Sequence, residues 1–360
     1  MSEAAAGPIP GPARSRPSPS ARSQRGLDWL NFFIADVETA FGPFVSVYLA
    51  QNGWAQGTIG TVLTINSAVA LATETPAGAL VDWTKRKRLV IAACLALIAA
   101  GSLLIGFFPS YLPVMAGQFM HGITGGAVRT AIAAIGLGLV GHRAYHTRIG
   151  RNHRYDSLGN AATAAGMGAI GYFVSPGAPF FAAAALCLPA YFCLSLINAG
   201  EIDYARARGA VGRKEPKAAR WHEIARNRPL LIFALCLFLF QFADASMLPL
   251  ASERLAADYK ASSELFTAAF VVVTSAVIGI MTPLIVADVT KGTGRYNFSL
   301  GAVSMIAGIG ATISFTAMGF LAQRLGFPTA FTGLAVVAGL GLGAVWWLMP
   351  ETVDAARAEE

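Results

Sequence analysis

The chain reads as a succession of apolar runs, each close to the ~20 residues that an α-helix needs to cross a ~30 Å hydrocarbon core. They fall at 28–50, 57–81, 89–108, 112–140, 157–176, 178–198, 229–250, 264–287, 299–322 and 328–349. Composition agrees with that reading. Only 13% of the 360 residues are charged and 55% are apolar, against roughly 25% charged in an ordinary soluble domain, and the mean hydropathy is +0.54. So few charges cannot cover so much apolar surface in water. The pattern predicts an all-α polytopic membrane protein of about ten transmembrane helices.

Charge placement gives the expected orientation. With the N-terminus inside, the cytoplasmic segments are the N-terminal tail, 82–88, 141–156, 199–228, 288–298 and the C-terminal tail. They hold 23 of the 27 Lys and Arg. The outside loops hold Arg254, Lys260 and Arg324, and Arg129 lies within a helix. This is the positive-inside asymmetry, so the net charge of +7 reports topology rather than nucleic-acid binding. Residues 1–26 lack an apolar signal region and read as a disordered cytosolic tail. Both termini are expected in the cytoplasm and the helices in the cell inner membrane. Cys94, Cys187, Cys193 and Cys236 all fall in apolar runs without metal-type spacing, which predicts small buried or lipid-facing residues and no metal or cofactor site.

The two halves carry matching features in the same order. Asp36 is followed by Pro43 in ADVETAFGP, and Asp244 by Pro249 in ADASMLP. RYDSLGNA begins at Arg154 and RYNFSLGA at Arg295, each in an inside loop. Together they argue for two parallel repeats. The offsets differ, however: Asp36 to Asp244 is 208 positions, but Gly159 to Gly301 is 142. The second half is therefore shorter by about 66 residues, enough for two membrane helices with their loops. An ancestor of six plus six helices reduced to six plus four accounts for both offsets.

A further motif follows the second apolar run: Gly78-Ala79-Leu80-Val81-Asp82-Trp83-Thr84-Lys85-Arg86-Lys87. It resembles the Gly-x-Leu-x-Asp and basic signature of the major facilitator superfamily, with Trp83 and Lys85 departing from the usual residues. The resemblance covers about 28 to 350. It implies a fold of two bundles with 10 helices rather than twelve: 27–198 as a six-helix bundle, 199–228 as a cytoplasmic linker, 229–350 as a shortened bundle and 351–360 as a tail. It also implies that Gly78, Leu80, Asp82, Arg86 and Lys87 form a cytoplasmic gating latch, where the plainer alternative is a charged turn. In the fourth helix Gln118-Phe119-Met120-His121-Gly122 stands where the family commonly has a buried Arg at the first position, which weakens that family's proton-linked role there. Segment 262–289 is similar to the start of helix eight joined to the end of helix ten. The second copy of the signature is absent.

Ionisable groups at bilayer depth cost roughly 2.5–3.5 kcal/mol unless they face protein or water, so they are the candidate pathway residues. Asp36 and its counterpart Asp244 are placed beside the central pathway by the resemblance, with an interhelical hydrogen bond as the alternative role. Glu38 lies about 200° around the helix from Asp36 and cannot share its cavity directly. His121 is a candidate proton carrier. Arg129 either attracts an anionic group or reaches the interface along its stem. Gln118 completes the set.

The expected function is secondary active transport of a small solute by alternating access, driven by the solute's gradient or by protons. The alternative is a truncated, transport-defective relative. Neither a phosphate-binding loop nor a His-Glu-x-x-His, Ser/His or paired-Asp cluster occurs, so ATP drive and enzymatic catalysis are not expected.

Overall fold

The computed structural model describes residues 19–39, 43–204, 228–257 and 296–349, together with positions 278, 281–282, 285–286 and 289. Ten α-helices are described: α1 (Ala21–Thr39), α2 (Pro43–Gln51), α3 (Gln56–Trp83), α4 (Lys87–Phe107), α5 (Tyr111–Phe173), α6 (Ala178–Leu196), α7 (Arg228–Ala245), α8 (Met247–Ala257), α9 (Tyr296–Leu325) and α10 (Phe327–Leu348). No strand occurs among the described residues. Six segments among them are long and apolar enough to cross a membrane: 87–107, 111–141, 178–196, 228–255, 299–325 and 327–348. Most of the expected helix at 264–287, the linker from 205 to 227 and the tail beyond 349 lie outside the described residues.

Three expected boundaries move, each for a local reason. The first helix begins at Ala21, so residues 21–26, read from sequence as tail, are helical. Ser20 caps it, its hydroxyl accepting the Ser23 N–H at 3.2 Å, which satisfies one of the orphan donors of a helix start. Leu27, Leu30 and Ile34 then form a buried stripe at helical spacing,.

Positions 40–42 of the first expected helix lie outside the described residues, and α2 is described from Pro43. The seventh expected helix is interrupted at its matching motif. α7 ends at Ala245 and α8 resumes at Met247. Pro249 cannot donate back to Ala245, and its ring crowds that carbonyl.

The largest difference concerns residues 141–156, expected as a loop. They are helical, and α5 runs from Tyr111 to Phe173 with one interruption at Gly141 (φ 72°, ψ 170°). That left-handed φ suits glycine, which has no Cβ to clash. The stretch after Gly141 contains no proline and many residues compatible with helix, so it continues as a second arm of α5. Its charges marked the cytoplasmic side without preventing a helix.

The main apolar core lies within α1–α6, built on fully buried residues such as Leu27, Ile59, Ile91, Leu95, Val128 and Ile135. Two smaller clusters serve the later helices, one around Leu230, Phe233, Val303 and Ala307 and one around Leu250, Met318, Ala330 and Leu334.

Candidate functional site

The early and late helices meet along a seam. Gly57 N–H donates to Gln323 Oε1 at 3.0 Å. Thr64 Oγ1 lies 2.6 Å from Thr316 Oγ1 and donates to the Thr312 carbonyl at 3.1 Å. Ser67 Oγ pairs with Thr312 Oγ1 at 2.8 Å, and Leu71 packs on Gly308. Two glycines set how close α3 and α9 come. A Cβ on Gly60 would press into the Phe315 carbonyl oxygen, and one on Gly319 would sit 2.7 Å from that of Gln56. Such small-residue crossings allow helix backbones to touch. Beside this seam, Ser46 of α2 faces the Pro249 carbonyl of α8 at 3.5 Å. The contacts that α3 makes here all involve its part from Gln56 to Leu71. Farther along, at the end nearer the chain's N-terminal cap, Leu80 and Trp83 are exposed.

On that other side a cavity of about 390 Å³ opens between α1 and the two arms of α5. Asn31, Ala35, Arg129, Asn152, His153, Asp156 and Asn160 contribute to its wall. Burial pushes the Asp156 carboxyl above its ordinary value, while the nearby Arg129 and His153 charges pull it back,. The wall thus offers hydrogen-bonding groups of both kinds and an exposed guanidinium from Arg129.

Below the cavity, Asp28 of α1 is 1% exposed and binds two arginines from the second arm of α5. Arg148, itself buried, lies 2.6 Å away, and Arg151 reaches the second carboxylate oxygen. Arg148 Nε also donates to Asn152 Oδ1 at 2.7 Å. Burial lowers the Arg148 guanidinium from its ordinary value and the Asp28 carboxylate opposes this; an arginine keeps its charge throughout.

The expected site residues fall in several places. Arg129 lines the cavity. Gln118 and His121 are buried, and Gln118 Oε1 accepts from Asn66 Nδ2 at 2.7 Å across α3 and α5. Asp244 is half-buried in the last turns of α7, just before the break. Asp36 and Glu38 belong to α1, next to cavity-lining Ala35, but their side chains lie outside the described residues. Asp28, Arg148, Arg151 and Glu253 were missed. Arg148 and Arg151 are three apart, a spacing that shares one helix face, but only once 141–156 is recognised as helix.

In the motif, α3 ends at Trp83 and α4 starts at Lys87. Lys87 is 1% exposed and its Nζ donates to the Val81 carbonyl at 2.5 Å, placing a cation on the last, unsatisfied carbonyls of α3. Leu80 and Arg86 are exposed, while Gly78 and the Asp82 side chain lie outside the described residues. Lys87→Met is expected to lower stability by about 1.5–3 kcal/mol, the range for a charged hydrogen bond. Thermal unfolding in detergent measures it, and an unchanged midpoint contradicts the capping role.

Comparison with known proteins places this arrangement. A family model described as Major Facilitator Superfamily matches residues 28–298. The chain belongs to the major facilitator superfamily. Uncharacterized MFS-type transporters from two strains of Mycobacterium tuberculosis are each 33% identical over 394 residues, covering 92% of this chain and 94% of the relative. Since 92% of 360 residues is about 331, about 63 of the 394 aligned positions have no residue here, enough for two membrane crossings. Among solved structures, nucleoside transporter NupG matches with a TM-score of 0.65 at 14% identity, covering 91% of this chain and 98% of that one. The human organic anion transporter MFSD10 matches with a TM-score of 0.54 at 14% identity, covering 91% and 100%. The superfamily's two-bundle fold thus accommodates nearly the whole chain. The chain is a member of a transporter family with a multi-pass helical membrane fold.

Proposed function

We propose that this chain is a secondary active transporter that moves a small solute by alternating access, with both termini on the cytoplasmic face of a cell inner membrane. The observation that carries this reading is the asymmetry of the seam. The two sets of helices close on each other at the Gln56–Gln323 end, while a polar cavity walled by α1 and α5 lies toward the other end of the N-terminal set. A seam closed at one end, with a polar cavity in the N-terminal helices toward the other, suits alternating access, in which rocking of the two sets exchanges the accessible side. Under the positive-inside orientation the closed end faces outward and the cavity faces the cytoplasm.

The cavity wall, with Arg129, Asn31 and Asn160, suits a polar solute held by hydrogen bonds. The solute's own gradient or protons supply the drive. Gly78, Leu80, Asp82, Arg86 and Lys87 form the cytoplasmic latch, and Asp36 and Asp244 flank the pathway. A second reading, a transport-defective relative, is favoured by the roughly 63 alignment positions that this chain lacks, the length of two helices.

Purified chain in proteoliposomes, offered nucleosides, organic anions and neutral solutes with and without a pH gradient, separates the two. Uptake of at least one solute above protein-free vesicles is expected. Uptake equal to protein-free vesicles across the panel would support the defective reading.

The base of α1 supplies a pH-dependent check on the same N-terminal helices. Glu201, just after α6, accepts from Ser20 N–H and Ser20 Oγ, both at 3.0 Å. The Ser20 backbone hydrogen bond is the main reason its carboxyl sits below its ordinary 4.5,. The folded state therefore favours the ionised form. This tie is complete above pH 4.5 and is lost as pH falls through the lowered value,. Hydrogen exchange at Ser20 should accelerate in Glu201→Gln at neutral pH and converge with the parent in acid; equal protection at neutral pH contradicts the tie.

A further inference from the structure

The break in the seventh helix leaves one acidic side chain inside the seam. Glu253 of α8 is 4% exposed, and its Oε2 is buried without a hydrogen-bond partner among the described residues. It shares a void of about 10 Å³ with Gln56 and Gly60 of α3, Phe315 and Gly319 of α9, and Pro249, room for one water at most. These neighbours come from both sets of helices, and Gly60 and Gly319 are the two residues whose backbones meet there. Closing the seam therefore seals Glu253.

Among the described residues, no cationic side chain lines this void. Arg254, next in sequence, sits over the Phe327 ring at 6.0 Å, and Arg324 of α9 is exposed. Tyr48, the ionisable residue of α2, points its hydroxyl at the Ile105 and Gly106 carbonyls. α10 contains no ionisable residue. On α3, Glu74 and Asp82 lie toward the opposite end, and on α7, Asp244 lies across the helix break. An ionised carboxylate at this position would give up its hydration with no countercharge in exchange among the described residues. The closed seam fits the neutral acid.

We propose that Glu253 is a proton-binding site that must be occupied for the seam to close. When α3 and α9 part, the carboxylate meets water. It takes one proton from that water to become the carboxylic acid as the helices come together, and returns the proton when they separate. The inference rests on the alternating-access reading and adds a pH-dependent element to it.

The test reads the seam rather than transport. Full-length chain in proteoliposomes carries Thr64→Cys at the seam or Asn52→Cys at an exposed reference position. Each is labelled by a membrane-impermeant maleimide between pH 5.5 and 8.5. The ratio of the two rates cancels the pH dependence of the thiol itself. This ratio is expected to rise with pH by at least about tenfold across the range, since one linked proton shifts an equilibrium up to tenfold per pH unit. Glu253→Gln, a permanent analogue of the neutral acid, is expected to keep it low and flat, whereas Glu253→Asp keeps a rise. A flat ratio with Glu253 intact, or an undiminished rise in Glu253→Gln, overturns the proposal. The first of these needs no substitution at Glu253, so a misfolded variant does not protect the idea. Glu253-dependent labelling in a chain that carries no solute would support the proton site while refuting transport.

Discussion

Gly60→Leu is expected to hold the seam open and to reduce solute uptake sharply while leaving the protein folded. Any Cβ at position 60 runs into the Phe315 backbone carbonyl, and a Cβ at Gly319 meets that of Gln56 at 2.7 Å. A backbone atom cannot swing aside as a side-chain tip can. The substitution therefore penalises the closed arrangement alone, by the roughly 1–3 kcal/mol typical of overpacking. That penalty shifts the closed population about 5- to 150-fold. Uptake in proteoliposomes should fall accordingly, with elution as a single species on size exclusion. Unchanged uptake would mean that the α3–α9 contact does not form during the cycle.

Asp28→Asn is expected to have the largest effect on stability. Asp28 is the shared partner of Arg148 and Arg151, and both it and Arg148 are almost fully buried. Neutralising it strands a buried guanidinium, for which about 3–5 kcal/mol is typical. Arg148→Gln made together with Asp28→Asn should recover part of that loss, because the stranded charge is then gone. Thermal unfolding of the two single variants and the double variant measures the coupling. Strict additivity would contradict a buried ion pair that joins α1 to the second arm of α5.

The apolar runs revealed the fold class because twenty lipid-compatible residues admit few structures. Their ends were harder to read. Charges from Arg143 to Arg154 give a loop-like composition at 141–156, yet nothing in that stretch breaks a helix except Gly141. Pro249, a repeat marker in the sequence, lies in the first turn of α8, just after the interruption of the seventh helix.

Site residues were legible where chemistry is local. Arg129 stood out as a charge within an apolar run and lines the cavity. Gln118 and His121 stood out equally and are buried in the helix bundle; a single sequence does not tell which side of a membrane helix faces a neighbour. Glu253 escaped notice because it follows the seventh apolar run and reads as part of an outside loop. Gly60 and Gly319 are two among 38 glycines, and only tertiary contact distinguishes them. The shortening of the second half was visible in the unequal repeat offsets, and the length of the alignment with the mycobacterial relatives points to a similar amount.

A reversible cross-link tests alternating access most directly. Thr64 and Thr316 place their hydroxyls 2.6 Å apart across the seam, close enough for the Thr64→Cys and Thr316→Cys pair to bridge without large backbone movement. The four native cysteines are buried. Oxidation of this double variant in proteoliposomes should stop uptake, and reduction should restore it to the unoxidised rate. Undiminished uptake through the fully cross-linked chain would contradict transport by opening and closing of this seam.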